Sequence, residues 1–423
     1  MKLNRIDAED ARRGRRPAVS SQVLRDAGQI VEAVRERGAA AVREYAERFG
    51  DAEPGAPIVV GQREMAGALD SIDAEARHVL ERVAARIRSF ADAQRGMYSD
   101  ITTPTPGGEG GHTVEPVVAA GCYAPGGRYP LPSSVLMTAV TARAAGVDRV
   151  VVASPRPTAE MLAAAAIAGA DEYLCVGGAH AIAALAYGFD EIAPVDVVVG
   201  PGNAWVTAAK QLVMGRVGID MLAGPSELLV IADETADAAV VAADLLAQAE
   251  HDADASAMLV TTSSELADAV DEELAAQIQA LSTVETARLG IANGFCCVVD
   301  TIDRAIAVAD DIGAEHLEVC TRDAETVAAR VRHAGGVFVG ERSAEVFGDY
   351  GFGPNHTLPT GGTARYMAGL SVAHFLRLRT WLRIDDPAGA EAAAADAIAL
   401  ARMEGLAGHE ASAAARMQKA ATP

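Results

Sequence analysis

The sequence contains little cysteine, and its cysteines follow no metal-binding pattern. Five occur in 423 residues, an odd number, and no two have a C-x-x-C spacing: Cys122, Cys175, Cys296, Cys297 and Cys320. This excludes a disulfide framework and a zinc site built on paired thiolates. If a metal is bound, histidine and carboxylate side chains must hold it.

The sequence also lacks a long apolar run. Its longest uncharged stretch, 173–189, spans 17 residues and is interrupted by Gly177 and Gly178, so it is too short for a membrane span. The first residues, MKLNRIDAED, contain no apolar segment typical of a secretory signal. We therefore expect a cytoplasmic protein with no membrane contact.

Basic residues are scarce relative to acidic ones. Lysine and arginine number 36 against 58 aspartates and glutamates, a net charge of −22 that repels phosphate backbones and predicts no nucleic-acid partner. We interpret the one basic cluster, ARRGRRP at 11–17, as a solvated arm rather than a nucleic-acid or targeting segment. The length and the 50% hydrophobic content indicate a globular protein of two or three domains.

The order of apolar segments predicts an α/β protein. Residues 21–48 and 62–96 have the apolar periodicity of long amphipathic helices, and a Pro/Gly-rich stretch follows at 103–130. Next, the apolar runs DRVVVASP, EYLCVGG and VDVVVGPG recur at intervals of about 25 residues, each followed by a helical segment. Such alternation indicates βαβ units and a parallel sheet covered on both faces.

A second α/β unit is expected further along the chain. Four later segments read as strands, with helices between them: 227–232, 256–262, 295–300 and 336–339. The alanine-rich tail at 388–421 reads as helical.

One glycine-rich turn could bind a dinucleotide. In VVVGPGNAW the turn follows a buried strand and precedes a helix, so its N–H groups and the helix dipole could face a pyrophosphate. Trp205 stands where the G-x-G-x-x-G pattern requires its third glycine, and Asp220 is the one acidic residue at about the usual distance. A plain tight turn explains the motif equally well.

The stretch LLAQAEHDADASAML, 245–259, crowds polar side chains around one helix end. Gln248 and His251 are three residues apart and share a helix face, which makes half a metal site or, alternatively, a helix cap. Asp252 and Asp254 do not form an EF-hand, because the mid-loop glycine and terminal glutamate are missing.

Three further stretches carry histidines beside acids, glycines or prolines. GAEHLEV places Glu315 next to His316, FGDYGFGPNHTLPTGG contains Asp349 and His356, and MEGLAGHE contains Glu404 and His409. Polar residues in such loops have little packing purpose, so these are candidates for chemistry.

These motifs together resemble the histidinol dehydrogenase family from about residue 20 to residue 416. The matching segments, in chain order, are YAPGG, PSSVLMTAV, AIAALAYG, VDVVVGPGNAWV, GIDMLAGPSELLVIAD, QAEHDADASAMLVTT, EHLEV, GDYGFGPNHTLPTGGTAR and EGLAGH.

The resemblance implies two Rossmann-like parallel-sheet domains, with an N-terminal helical arm and a C-terminal helical tail exchanged in a homodimer. We expect the N-terminal arm at 1–15, the larger α/β domain at 16–122 and 227–370, the nucleotide-binding-like domain at 123–226, and the C-terminal helical tail at 371–423.

The resemblance also implies roles for individual residues. Four positions match zinc ligands: Gln248, His251, Asp349 and His409, the last supplied by the partner subunit. Glu315 and His316 match the acid/base pair. Ser226, His356 and Glu404 match substrate contacts, as do His316 and the four zinc ligands. Glu404, like His409, is supplied by the partner subunit. NAD contacts match Tyr123, His180 and Asn203.

The family chemistry implied is oxidation of L-histidinol through L-histidinal to L-histidine. Neutral His316 takes the hydroxyl proton while hydride leaves for NAD, Glu315 helps a water add to the aldehyde, and a second NAD accepts hydride. Zinc holds and orients the substrate. No cysteine nucleophile is needed.

The sequence departs from the family pattern near substrate and cofactor. His180 replaces a usual glutamine, Thr141 and Ala314 replace usual prolines, Arg128 and Tyr129 replace a small neutral run, and RTWLRIDD replaces a stretch like SVQE. The Arg-Tyr pair and the V-T-A run resemble a branch that oxidises sulfopropanediol.

These departures leave three hypotheses. The first is an NAD-dependent, zinc-requiring histidinol dehydrogenase. The second is a paralogue oxidising another small polar alcohol, such as an amino alcohol or an anionic diol met by Arg128. The third is a catalytically inactive nucleotide-binding or regulatory protein on the same scaffold.

Overall fold

The computed structural model describes residues 1–11, 19–126 and 129–420, without the side chains of 418–420. It divides into two compact units. Unit 1 comprises 1–93 and 117–375, and unit 2 comprises 94–116 and 376–423. Residues 12–17 of the basic cluster at 11–17 lie outside the described residues, and so does Arg128.

The strands in the described residues are short. In chain order they are β1 (Asn4–Ile6), β2 (Val59–Gly61), β3 (Ile101–Thr105), β4 (Gly108–Pro116), β5 (Ala119–Tyr123), β6 (Arg149–Ala153), β7 (Glu172–Leu174), β8 (Val197–Val199), β9 (Gly218–Ile219), β10 (Glu227–Ala232), β11 (Ser256–Thr261), β12 (Phe295–Val298), β13 (His316–Cys320), β14 (Gly336–Val339) and β15 (Leu376–Ile384).

The α-helices alternate with them. They are α1 (Ala8–Ala11), α2 (Ser21–Arg37), α3 (Ala39–Phe49), α4 (Gln62–Ser71), α5 (Ala74–Arg95), α6 (Pro132–Ala145), α7 (Ala159–Ala168), α8 (Gly178–Tyr187), α9 (Ala204–Val213), α10 (Ala238–Ala249), α11 (Ser264–Gln277), α12 (Val284–Asn293), α13 (Ile302–Ile312), α14 (Ala324–Ala328), α15 (Glu345–Asp349), α16 (Pro387–Glu404) and α17 (Ala407–Ala420). Short 3₁₀ turns occupy Ile278–Ala280, Thr363–Arg365 and Val372–Phe375. Among the described helices, none is both long and apolar enough to cross a membrane.

Unit 1 contains two six-stranded sheets of similar design. One has the order β1-β12-β11-β10-β13-β14 and is parallel throughout. The other has the order β2-β7-β6-β5-β8-β9 and is parallel except for β2. Apart from the added edge strand, each follows the 3-2-1-4-5 order of a Rossmann half-sheet. The mixed α/β class with parallel sheets is therefore confirmed.

Both sheets are covered on two faces, as their continuous apolar strands predict. One face of the β10 sheet packs on α10, α11 and α12, and the other on α1, α13 and α14. The β5 sheet buries one face against α2, α3, α8 and α9, with α6 and α7 on the other. The side chains of β10, from Leu228 to Ala232, have no exposed surface.

Strand pairing divides the chain differently from the expected boundaries. The sequence predicts that 16–122 belongs with 227–370, yet β2 and β5 pair within the sheet formed by 123–226. In the expected arm at 1–15, Asn4–Ile6 is a strand that joins the β12 edge. The reason is that the backbone hydrogen bonds of a sheet join strands far apart in sequence, which local patterns do not encode.

Unit 2 contains an antiparallel sheet with the order β15-β4-β3, followed in sequence by α16 and α17. In the expected helical tail at 371–423, a 3₁₀ turn at Val372–Phe375 comes first, and the α-helices begin only at Pro387. Between them LRLRTWLRI is the strand β15, whose near-alternation of apolar and arginine residues suits a sheet with one exposed face.

Candidate active site

The candidate site lies at the amino ends of β10 and β13. These neighbouring parallel strands pair Leu228 with His316, which brings Ser226 and Glu227 alongside Glu315 and His316. The C-terminal end of α10 lies at the same end of the sheet. A helix that connects two parallel strands runs antiparallel to them, so it ends where the next strand begins. Gln248 and His251 therefore lie near the amino ends of β10 and β13.

Glu315 is held by two donors. The hydroxyl of Ser226 donates to Glu315 Oε2 at 2.6 Å, and the backbone N–H of Glu227 donates to the same oxygen at 3.0 Å. Burial nevertheless raises the pKa of Glu315 to about 8. The carboxyl group can therefore take up or release a proton near neutral pH.

His316 is buried beside it. Its Nδ1 lies 3.1 Å from the carbonyl oxygen of Glu227 and 3.7 Å from Glu315 Oε2. Burial lowers the pKa of His316 to about 4, so the ring is neutral at pH 7. Nδ1 beside a carbonyl carries the proton, which leaves Nε2 as the basic nitrogen.

The acidic and imidazole groups of the expected metal site also converge. His251 Nε2 lies 3.0 Å from Asp349 Oδ2, and His251 Nδ1 lies 3.0 Å from the carbonyl oxygen of Ala247. Desolvation opposes charge on His251, but the hydrogen bond and charge of Asp349 prevail and raise its pKa to about 10. Desolvation likewise opposes charge on Asp349, but the hydrogen bond from His251 holds the pKa of Asp349 below its usual range.

Gln248 is completely buried, with no hydrogen-bond partner within the described residues for its side-chain oxygen or nitrogen. A buried amide without a hydrogen bond destabilises the folded state, so such a group normally has a bound water, ion or ligand as its partner. This argues against the plain helix-cap alternative for Gln248, which would pair the amide with backbone groups.

His356 connects the site to α6. Its Nδ1 lies 3.0 Å from the carbonyl oxygen of Asp349, and its Nε2 lies 3.2 Å from the hydroxyl of Ser134. The adjacent Asn355 donates to the carbonyl oxygen of Met137 and to the hydroxyl of Thr141, one of the expected departures from the family pattern. Thr141 thus contributes to the loop that positions His356.

Sequence reasoning missed one residue here, Glu345. It lies one helical turn before Asp349 on α15, and its carboxylate belongs to a cluster with His251 and Asp349 whose potential ligand atoms all lie within 4.8 Å of one another. The i, i+4 spacing of Glu345 and Asp349 in EVFGD was the available signal.

Glu404 and His409 lie in unit 2. Glu404 ends α16, His409 is in the first turn of α17, and both are exposed. Their assignment to a site shared with a second subunit stays a prediction.

The residues expected at the cofactor are in the other sheet. In the β2-β7-β6-β5-β8-β9 sheet, strand order reverses between β5 and β8, and ligands of such sheets bind at the carboxyl ends of these strands. Tyr123 ends β5, and the Gly200–Asn203 turn follows β8. Gly200 has φ +117°, and a Cβ there would lie 1.9 Å from the carbonyl oxygen of Tyr123, so only glycine fits.

Asn203 caps α9, its side-chain oxygen accepting from the N–H groups of Trp205 and Val206 at 3.1 and 3.2 Å. Trp205 therefore occupies the first turn of the helix. The hydroxyl of Tyr123 accepts a hydrogen bond of 3.1 Å from the N–H of Gly178, which begins α8.

His180 is fixed at that same helix start. Its ring is 2% exposed, and its Nε2 lies 3.1 Å from Asp51 Oδ2, which also accepts from the N–H of Gly177. The rings of Tyr45 and Phe49 pack around it, with centroids 6.1 and 5.7 Å away. The contact with Asp51 joins residues 129 positions apart, which sequence spacing does not predict.

If NAD binds at this sheet as the resemblance implies, we expect His180→Ala to raise the KM for NAD about tenfold. The variant removes one of the two hydrogen bonds described for Asp51 and loosens the start of α8 by about the worth of one charged hydrogen bond. Steady-state kinetics and metal analysis should show unchanged kcat and zinc content. His78→Ala, on the exposed side of α5, is the matched control. An unchanged KM would refute a cofactor role for His180.

Comparison with known proteins agrees with these features. A family model described as histidinol dehydrogenase matches residues 13–417. The chain is similar to the histidinol dehydrogenase of Ruegeria pomeroyi, at 45% identity over 396 residues covering 92% of this chain and 91% of that protein. It is also similar to that of Geobacillus kaustophilus, at 42% identity over 426 residues covering 99% and 100%.

A solved structure is similar over the same length. The crystal structure of histidinol dehydrogenase from Elizabethkingia anophelis matches with a TM-score of 0.91 and 29% identity, covering 99% of both chains. The agreement of fold and sequence extends over the segments that carry the candidate site.

Proposed function

The chain belongs to the histidinol dehydrogenase family, and from this premise we propose that it oxidises L-histidinol through L-histidinal to L-histidine, using two NAD and one zinc ion. Membership makes it an NAD-linked oxidoreductase acting on a CH–OH group. The observation that carries the proposal is the convergence of the Glu315–His316 pair with the His251–Asp349 pair near the amino ends of β10 and β13. Glu345 links them, with Oε1 3.8 Å from His316 Nδ1 and a carboxylate within 4.8 Å of the potential ligand atoms of the second pair.

The donor groups suit zinc. Gln248, His251 and Asp349 offer one amide, one imidazole and one carboxylate, the nitrogen and oxygen ligands that zinc accepts when thiolates are absent. The unpartnered amide of Gln248 is the strongest sign that something is bound there. His409 from a second copy of the chain would be the fourth ligand. When bound, the ion supplies a Lewis-acidic anchor that orients the substrate.

His316 and Glu315 would manage the protons. The neutral ring of His316 accepts the hydroxyl proton of the alcohol as hydride passes from the carbinol carbon to NAD, giving aldehyde and NADH. Glu315, in the ionised form that predominates above its pKa of about 8, would accept a proton from a water that adds to the aldehyde, giving the anionic hydrate. Loss of hydride from that anion to a second NAD would give the carboxylic acid.

The remaining polar residues would hold the two reactants. Ser226, His356 and, from a second copy of the chain, Glu404 are the proposed substrate contacts, in addition to the zinc ligands and His316. Tyr123, His180 and Asn203 are proposed to contact NAD at the carboxyl ends of β5 and β8. Support comes from the Rossmann strand order of this sheet.

We propose a cytoplasmic homodimer with no nucleic-acid or membrane partner. All five cysteines are free thiols, as suits a reducing compartment. The net charge of −22 disfavours nucleic acid.

A second candidate substrate is another small polar alcohol, such as an amino alcohol or an anionic diol like sulfopropanediol. The observation that favours it is the contact of Thr141 with Asn355, which places one departure from the family pattern beside the loop of His356. The chemistry of Glu315 and His316 would be the same.

Counting NADH separates the candidates. Purified enzyme is supplied with zinc, NAD and either L-histidinol or small diols, and absorbance gives the NADH formed per substrate. We expect two equivalents from L-histidinol. If L-histidinol gives no NADH and another alcohol gives one or two equivalents, the second candidate replaces the first. No turnover of any alcohol by a zinc-free protein would leave the regulatory hypothesis.

A further inference from the structure

Lys210 and Asp220 form a buried ion pair that none of the assigned roles uses. Lys210 lies on α9 and Asp220 follows β9, and their side chains are 2% and 0% exposed. Lys210 is the only buried lysine or arginine among the described residues. A buried ion pair adds little net stability, because the removal of two charges from water offsets their attraction. What the pair contributes is therefore a fixed geometry for the groups that it contacts.

The ion pair holds both backbone groups of Gly200. Asp220 Oδ2 accepts from the N–H of Gly200 at 2.7 Å, and Lys210 Nζ donates to the carbonyl oxygen of Gly200 at 3.0 Å. Gly200 opens the Gly200–Asn203 turn in a conformation that only glycine adopts there. Because glycine has the greatest backbone freedom, the turn cannot fix its own conformation. The ion pair supplies that rigidity.

Asp220 is itself firmly held. Its Oδ1 accepts from the backbone N–H of Met221 at 2.7 Å. Just beyond it in the chain, the hydroxyl of Thr207 on α9 donates to the carbonyl oxygen of Ala223 at 2.7 Å. Asp220 therefore lies at a fixed position relative to α9, and through its carboxylate it fixes Gly200 at the other end of that helix.

We propose that Lys210 and Asp220 are positioning residues for NAD, holding the Gly200–Asn203 turn in the conformation that receives the cofactor. The turn follows β8 at the point where strand order reverses, which is where sheets of this order bind dinucleotides. Both side chains are buried, so they act through the turn rather than by contact with NAD. This inference rests on the NAD site of the proposed function.

The test is the dissociation constant for NAD, measured by titration calorimetry on the full-length enzyme without an alcohol substrate. The double variant Lys210→Met/Asp220→Asn removes both charges and nearly keeps both shapes, so no unpaired charge stays buried. It should weaken NAD binding about tenfold, the worth of one charged hydrogen bond. The KM for NAD should rise as well, while kcat at saturating NAD and the KM for the alcohol stay at wild-type values.

Amide hydrogen exchange reports on the turn without any turnover. A peptide covering 198–206 should exchange faster in the double variant, whereas a peptide covering 316–320 should exchange as in wild type. Asp220→Asn alone keeps an acceptor for the N–H of Gly200 and leaves Lys210 in place. It should therefore weaken NAD binding less than the double variant, and it serves as the test if the double variant does not fold.

Arg149→Met/Glu172→Gln is the matched control. Arg149 and Glu172 form a half-buried ion pair of 2.9 Å in the same sheet, but they begin β6 and β7 and so lie at the end opposite the Gly200 turn. This variant should bind NAD as wild type does. Thermal unfolding without NAD identifies which variants are folded.

The outcomes separate this inference from the proposed function. Equal NAD affinity in wild type and in a folded variant of the Lys210–Asp220 pair would overturn the positioning role and leave the NAD site standing. Slower turnover by such a variant at unchanged NAD affinity would overturn it as well. A wild type that binds no NAD would overturn both the proposed NAD site and this inference.

Discussion

Replacing His316 with asparagine should lower NADH formation about 1,000-fold while zinc content stays at the wild-type level. The loss is that of a general base, whose contribution to a rate is about 100- to 10,000-fold. The ring suits this role because burial keeps it neutral, with a pKa of about 4, and because the Glu227 carbonyl at Nδ1 leaves Nε2 free to accept a proton. Zinc should be retained because the proposed ligands are other side chains.

His333→Asn is the matched control for this prediction. The Nδ1 of His333 also lies 3.0 Å from a backbone carbonyl, that of Asp310, but His333 is not part of the site. It should retain wild-type turnover. Near-normal turnover by His316→Asn would remove the proposed base, and loss of zinc from that variant would make His316 part of the metal site instead.

Replacing Asp349 with asparagine should abolish zinc binding and turnover together. The carboxylate pairs with His251 at 3.0 Å, and its backbone carbonyl contacts His356, so it lies between the proposed metal and substrate groups. An amide lowers the negative charge available to the ion and disrupts the pairing that orients His251. We expect turnover to fall about 1,000-fold or more, beyond the 10- to 100-fold cost of an outer-shell change.

Chelation provides the parallel measurement. Wild type treated with chelator should lose turnover to the level of Asp349→Asn and regain it when zinc is added, whereas the variant should not respond to added zinc. Asp252→Asn changes an exposed acid beside His251 that has no proposed role, and it should behave as wild type. Full turnover by chelated wild type would exclude a zinc-dependent reaction.

Features that are local in the sequence could be predicted. The apolar run at 227–232 is the strand β10 within the bounds expected for it, and 336–339 is likewise β14. Gln248 and His251 are close because they share one helix end, and Glu315 is adjacent to His316 in the chain. Such pairings follow from spacing alone.

Features that depend on tertiary packing could not be predicted from the sequence. The pairing of β2 with β7 joins residues more than 100 positions apart, and so does the contact of His180 with Asp51. The spacing of Glu345 and Asp349 was a weak signal, since a glutamate on a short helix is normally solvated. Only its burial beside His251, far away in the chain, marks it as part of the site.

A crystal structure of the zinc-loaded enzyme, with anomalous scattering recorded at the zinc edge, tests the central assertion directly. The account predicts one strong peak per subunit, within bonding distance of Gln248, His251 and Asp349 and adjacent to Glu315 and His316. A peak elsewhere in the molecule, or full zinc occupancy with these three side chains unliganded, would contradict it.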